Sequence, residues 1–270
     1  MSSKIHPSAV IDAKAELGED VEIGANCVVG EGTVIGDGTI LNANVTIGND
    51  VVIGKGNWFY ANSVIGGAPQ LLGLKPGDEY GRLVIGDNNT IREMVTIHPS
   101  MYPDRNTTIG SDNLLMIGMH IGHDCELGSN IVMSNYTQLS GHCKVEDGVW
   151  FSGMVLVHQF VTIGKWCYAA GLSGINHDIP PFVMISGHYP PEVRSINKRG
   201  LDRAGLNGQQ QKNILKAFKR LYKSDEGVFT DRVNALAAET DLDENVRCMV
   251  DSIKRSNEHR FGRHRELFRD

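Results

Sequence analysis

The chain has 270 residues, 41% of them hydrophobic, and its 26 basic and 32 acidic side chains leave a formal charge of −6. That is enough chain for one large domain, or a large one with a small companion, to bury a core unaided by staples. No stretch approaches the roughly 18 apolar residues of a membrane span, and the opening Met-Ser-Ser-Lys-Ile-His-Pro-Ser has no signal-peptide character. None of the five cysteines forms a CxxC pair, so a cytoplasmic protein without disulfide framework or zinc finger is expected.

From the N-terminus a large apolar residue returns at every sixth position: Ile5, Ile11, Leu17, Ile23, Val29, Ile35, Leu41, Ile47, Ile53, Phe59 and Ile65. Glycine follows directly at Gly18, Gly24, Gly30, Gly36, Gly48, Gly54 and Gly66. The period breaks over 67–84, resumes at Ile85, Ile91 and Ile97, breaks again over 98–108, and then holds one phase from Ile109 to Ile175, for 26 repeats in all. A period of six suits neither a helix nor a plain alternating strand. It suits a triangular coil in which each repeat supplies one short strand and one corner, so 26 repeats make nearly nine coils. The aliphatic residue points inward, and the glycine after it is expected to take the tight turn.

The residue two before each aliphatic also faces inward, and it is mostly small or β-branched, as at Val21, Thr33, Val45, Val51, Thr107, Thr137, Val155 and Val161. Four of the five cysteines, Cys27, Cys125, Cys143 and Cys167, occupy this slot. There a thiol behaves as a small hydrophobe rather than a nucleophile or ligand. The two interruptions, loops leaving a rigid prism, are where function is expected to sit.

Past Pro180-Pro181 the six-residue pattern stops. A β-helical domain is therefore expected over 1–190 and a small α-helical domain over 191–270. Within the second, 209–223 places Ile214, Leu215, Phe218, Leu221 and Tyr222 on one helical face, and 244–256 is a further amphipathic stretch. Cut before Arg194, the first part holds 9 basic and 20 acidic residues, near −11, and the tail 17 basic and 12 acidic, near +5. A basic tail suits nucleic acid, an anionic membrane or an acidic protein, or is a solvated helical surface.

Histidines gather at His120, His123, His142 and His158, with Asp124 beside the second and Gln159 beside the last. One turn is 18 residues, so His123 stacks under Gly141, next to His142, and under Gln159, next to His158, about 4.8 Å per coil. None lies in the inward slot, so all should face outward. A single exposed histidine is ordinary; a column of three with a carboxylate alongside offers a base of near-neutral pKa and its orienting partner. Two chemistries fit: three imidazoles holding zinc with an open position, or one imidazole taking a proton from an alcohol.

The stretches Ser111-Asp-Asn-Leu-Leu-Met-Ile-Gly-Met-His-Ile-Gly-His-Asp-Cys125, Leu139-Ser-Gly-His142, Val157-His-Gln-Phe160 and Asp178-Ile-Pro-Pro-Phe182 resemble the UDP-N-acetylglucosamine acyltransferases that begin lipid A synthesis. The likeness extends to Ile91-Arg-Glu-Met-Val-Thr-Ile-His98 and more loosely to 197–205, covering most of the chain. It implies a left-handed parallel β-helix. It also implies that His123 is the general base toward the sugar 3-hydroxyl, that Asp124 holds its ring, and that the Gly141 N–H receives the oxyanion. His120, His142, His158 and Gln159 would line the sites for sugar, diphosphate and pantetheine. Gly171 would leave room for a long acyl chain, Asn197 and Arg203 would lie near the nucleotide, and Gln70 and Lys75 would touch substrate from the first loop.

The acyl donor, carried on the phosphopantetheine of an acidic acyl carrier protein, would explain the basic tail. No metal or other cofactor, no nucleic acid and no integral membrane segment is then required. The flat faces of a coil lack closed pockets, so a homotrimer with sites between neighbours is expected. Kindred alternatives are amide formation on a 3-amino nucleotide sugar and a zinc carbonic anhydrase on the same coil. The chain departs from the family where Leu71-Leu72-Gly73-Leu74-Lys75 follows Gln70 in place of Asp-Leu-Lys, and where Pro99-Ser100-Met101 follows His98 in place of Arg-Gly-Thr. Arg199 stands where an acid is frequent, and Ala204 replaces the second of two arginines. These changes touch the acceptor contacts rather than the base.

Overall fold

A computed structural model describes residues 4–269. Each of the 26 periodic positions is the last residue of a short strand, from Lys4–Ile5 to Gly174–Ile175. The strands stack into three parallel sheets that form the sides of a prism. The first sheet runs from Lys4–Ile5 through Tyr168–Ala169, the second from Val10–Ile11 through Gly174–Ile175, and the third from Glu16–Leu17 through Thr162–Ile163.

Pairing steps by eighteen residues, as in Lys4↔Glu22. It lengthens to Trp58↔Thr90 across the first interruption and to Thr90↔Leu114 across the second. Each loop is thus expelled without disturbing the ladder on either side.

The aliphatic column and the small-residue column fill the prism from Val21 onward. Ile5 is exposed because no coil covers the first one. The four inward cysteines are buried, and their thiols donate to corner carbonyls: Cys27 to Asn42, Cys125 to Ser140, Cys143 to His158 and Cys167 to Pro180, at 2.8–3.3 Å. Burial pushes the Cys167 thiol up to about 12, far from thiolate reactivity.

The glycines differ from expectation. With the exception of Gly66, those that follow the aliphatic residue do not take the left-handed conformation, which falls two residues later, at Asp20, Asn26, Gly32, Gly38, Asn44 and Asp50. They are needed for close approach: a Cβ at Gly36 would lie 2.6 Å from the Gly54 backbone one coil on.

The coil also continues past Pro180-Pro181, where its six-residue signature is lost. Val183–Ser186 adds to the first sheet in parallel, pairing Tyr168↔Met184, and Glu192–Ile196 then closes that sheet antiparallel. The prolines shorten the step but leave the ladder intact.

Four helices follow: α1 (Lys198–Arg203), α2 (Gly208–Tyr222), α3 (Phe229–Ala237) and α4 (Glu244–Ser256). Helix α2 opens on a capping box between Asn207 and Gln210, an arrangement worth about 1 kcal/mol. It buries the predicted Ile214, Phe218 and Leu221, with Leu215 and Tyr222 packed alongside. Helices α1 and α3 are too short to show periodicity and were not predicted. The chain ends in a 3-10 turn over His264–Phe268. Among the described residues no helix is long and apolar enough to cross a membrane.

Candidate active site

The corner between the second and third sheets carries the histidines. Here the left-handed position falls on Asp124, His142 and Phe160, eighteen residues apart, with φ of 59°, 62° and 66°. Bulky residues seldom adopt this conformation, and the stacked ladder over-determines it. Their side chains therefore leave the prism at the same place on three successive coils. The His142 and Phe160 rings stack in parallel at 4.4 Å, and the His123 ring meets His142 edge-on at 5.0 Å.

His123 and Asp124 form a dyad, with Nδ1 2.7 Å from Oδ2. A carboxylate only accepts, so Nδ1 carries the proton and Nε2 is left as the basic atom. That nitrogen faces Gly141: a Cβ there would fall 2.8 Å from His123 Nε2, so any side chain would displace the base. The Gly141 N–H, the candidate oxyanion donor, donates to no other group among the described residues.

Asp124 is buried and fully occupied. The Ser100 hydroxyl donates to Oδ1 at 2.5 Å, and the Met101 N–H to Oδ2 at 3.1 Å. Burial alone would raise its pKa, but hydrogen bonds from His123, Ser100 and Met101 outweigh burial and hold the carboxyl below its ordinary value. Burial drives His120 down to about 4, helped by His98 and His123. It also drives His142 down to about 4, against the pull of Asp124. Both are neutral imidazoles at physiological pH. The expectation that the histidines face freely outward is thus corrected: the His123 and His142 side chains keep only 17% and 15% of their exposure, because segment 98–108 folds over them.

The other expected residues are spread more widely. His120 lies on the second sheet with Nδ1 2.9 Å from the Thr96 hydroxyl. His158 is two coils above His123, its Nδ1 against the Gln159 carbonyl at 3.0 Å. Gly171 is exposed at the opposite edge of the second sheet, with the Gly153 carbonyl 3.3 Å from where its Cβ would be. Gln70 and Lys75 are exposed on the first loop, where Lys75 N–H closes a turn on Asp78.

Asn197 and Arg203 sit apart from the histidines, beside a cleft of about 720 Å³ between the first sheet and the helices. The Asn197 side chain caps α1 through Gly200 N–H and donates to the Trp166 carbonyl. The Arg203 guanidinium lies over Trp150 and Trp166 at 5.1 and 5.5 Å.

Three residues of the corner were not singled out from sequence. Ser100 and Met101 hold the aspartate, which corrects the expectation that the departure at Pro99-Ser100-Met101 touches the acceptor contacts rather than the base. His98 is buried with Nδ1 at 3.0 and 2.8 Å from the Gly67 and Ala68 carbonyls, and its ring is 5.1 Å from that of His120. The one available signal was position, since His98 opens the second interruption.

His123, Asp124 and His142 present donor atoms within 4.8 Å of one another. Two ligands on one tetrahedral zinc would stand about 3.3 Å apart. The 2.7 Å between His123 and Asp124 is instead the length of a charge-assisted hydrogen bond. A hydrogen-bonded base beside an open backbone donor, on the wall of a hexapeptide coil, is the apparatus of an acyltransferase.

Relatives agree with that class. A family model described as bacterial transferase hexapeptide matches residues 2–36, and another, Udp N-acetylglucosamine O-acyltransferase, Domain 2, matches 178–262. The acyl-[acyl-carrier-protein]–UDP-N-acetylglucosamine O-acyltransferase of Paraburkholderia phymatum is 42% identical over 94% of this chain and 97% of its own length. The protein of the same description from Halorhodospira halophila is 40% identical, over 94% and 97%. Among solved structures, the Francisella novicida UDP-N-acetylglucosamine acyltransferase superposes with a TM-score of 0.86 at 35% identity, covering 93% of this chain and 91% of that one. The chain belongs to the UDP-N-acetylglucosamine O-acyltransferase family.

Proposed function

We propose that the protein transfers an acyl group from acyl carrier protein to the 3-hydroxyl of UDP-N-acetylglucosamine, in the cytoplasm, as the first step of lipid A biosynthesis. The observation that carries the reading is the dyad: His123 donates Nδ1–H to a carboxylate held ionised by Ser100 and Met101, which leaves Nε2 free to take a proton. As the sugar oxygen attacks the thioester carbon, His123 accepts the hydroxyl proton, and the Gly141 N–H receives the charge that develops on the thioester oxygen. Collapse expels the pantetheine thiol, to which the imidazolium returns the proton. The donor brings its own phosphopantetheine, and the chain supplies no further cofactor.

His120, His142, His158 and Gln159 flank this corner as contacts for sugar and pantetheine, and the bare Gly171 edge leaves space for the acyl tail. Arg203 and Asn197 frame the cleft suited to the nucleotide, and Gln70 and Lys75 reach toward it from a neighbour. A homotrimer accounts for the exposed apolar residues Val28, Val64 and Leu156 on the second sheet, and for Tyr136, Met154 and Leu172 along its edge. The basic helical tail suits an acidic carrier protein.

The test is to offer a panel of acyl-carrier-protein thioesters with UDP-N-acetylglucosamine and with its 3-amino counterpart, and to identify products by mass. An O-acylated product, lost in His123→Ala and retained after chelation, supports the reading. Exclusive N-acylation, or activity that zinc removal abolishes, overturns it.

A further inference from the structure

Residues 263–269 lie past the stretch that the family model matches, and they return to the active corner. The Gly262 carbonyl accepts from Asp178 N–H at 2.6 Å, Arg263 donates to the Asn176 carbonyl at 2.9 Å, and His264 N–H donates to the Asp178 carboxylate at 2.9 Å. Asn176 stands one coil above His158, at the same corner of the prism. Further along, Arg265 Nε donates to the His142 carbonyl at 3.1 Å, and its terminal nitrogen meets Glu126 Oε1 at 2.8 Å. Arg269 lies over the Phe160 ring at 5.7 Å. The segment therefore crosses the coils that carry Asp178, Phe160 and His142 in turn.

We propose that this segment is a strap that positions the acid–base corner, with Arg265 as the positioning residue for His142. His142 N–H is held by the His123 carbonyl at 2.9 Å, and Arg265 holds the same residue from its carbonyl side. Pinned at both ends, the residue keeps its left-handed backbone, which fixes the point and direction from which its ring leaves the prism beside Phe160 and His123.

The guanidinium also sets the charge around that ring. Asp124 lies 4.0 Å from His142 Nε2, His123 is edge-on at 5.0 Å, and the Tyr102 ring is 6.2 Å away. Arg105 and Arg265 oppose an imidazolium there. Lys144, Glu146 and His264 line the same cleft of about 370 Å³. Without Arg265 the His142 imidazolium becomes easier to form, so the titration of that ring reports the guanidinium beside it, while the ring stays neutral at physiological pH and any loss of turnover comes from lost positioning.

The kinetic part of this inference rests on the acyl-transfer reading; the test therefore includes a readout that needs no substrate. In full-length, histidine-labelled enzyme, Arg265→Ala should raise the His142 NMR titration by about one pH unit. It should lower kcat about ten-fold with KM within about two-fold. Arg265→Lys keeps the charge and should restore the titration and part of kcat. Glu126→Gln loosens the guanidinium from outside the third sheet and should move both readouts the same way by less; it decides the matter if Arg265→Ala fails to fold. An unchanged His142 titration in the altered enzymes, or a loss confined to KM, overturns the strap. Absence of O-acyl product in the unaltered enzyme would sink the functional reading and leave the titration result standing.

Discussion

The two segments that leave the coil behave in opposite ways. Segment 98–108 folds back onto the corner, where Ser100 is fully buried and spends its hydroxyl on Asp124. Segment 67–84 leans away at its tip: Leu72 is wholly exposed, and the loop meets the corner at its two ends, through the Gly67 and Ala68 carbonyls on His98 and through Gly81 N–H on the Ser100 carbonyl at 2.9 Å. A buried hydroxyl on a carboxylate is tolerable only as part of a satisfied network, so the second segment serves its own chain's chemistry. An apolar side chain held out in solvent gains nothing where it stands, which is why the proposed homotrimer has the first segment serve a neighbour.

The largest effect should come from the base that the second segment supports. His123→Ala should lower kcat by about a thousand-fold with the thermal midpoint nearly unchanged, measured by steady-state acyl transfer and calorimetry. Asp124→Asn keeps the shape but lets His123 take the wrong tautomer, and about a hundred-fold loss in kcat is expected.

Next is acid. His120 and His142 have folded pKa values near 4 against an ordinary 6.5, so the unfolded chain gains protons first as pH falls. Stability should drop between about pH 6.5 and 4, by roughly 2 kcal/mol per ring, and level off below. Asp124 acts in the same sense at lower pH, contributing stability above the ordinary carboxylate pKa that is lost as pH falls through its depressed one. Melting curves across that range should flatten in His142→Gln; an equally steep fall would show that the lid formed by the second segment does not desolvate the ring.

Ser100→Ala should cost about ten-fold in kcat, the value of one hydrogen bond to a charged group, and should shift the acid limb of the rate profile upward as Asp124 becomes easier to protonate. Leu72→Ser should be the mildest, with kcat at saturation within about two-fold and weaker self-association in sedimentation. If Leu72→Ser removed activity while Ser100→Ala left it intact, the assignment of the two segments would be reversed.

Much of the molecule was readable along the chain. A core built from one residue in six and its partner two places earlier repeats the same local requirement, so the end of each of the 26 periodic strands was legible, and only the two strands past Pro180-Pro181 were not. Because the coil has a constant step, arithmetic alone placed His123 under Gly141. Other features lay beyond that arithmetic. Asn197 resembled a substrate contact, and that its amide also caps a helix was not legible along the chain. The glycines looked like turn residues, and their crowding by the next coil was visible only once coils were stacked.

The sequence by itself determined the prism and the stacking of His123, Gly141 and Gln159, because a periodic coil converts spacing directly into position. Tertiary structure decided what holds them: Ser100 and Met101 on Asp124, His98 against the root of the first loop, and Arg265 reaching across 123 residues to the His142 carbonyl. These contacts join segments outside the repeat, and no periodicity encodes where an expelled loop or a returning tail comes to rest.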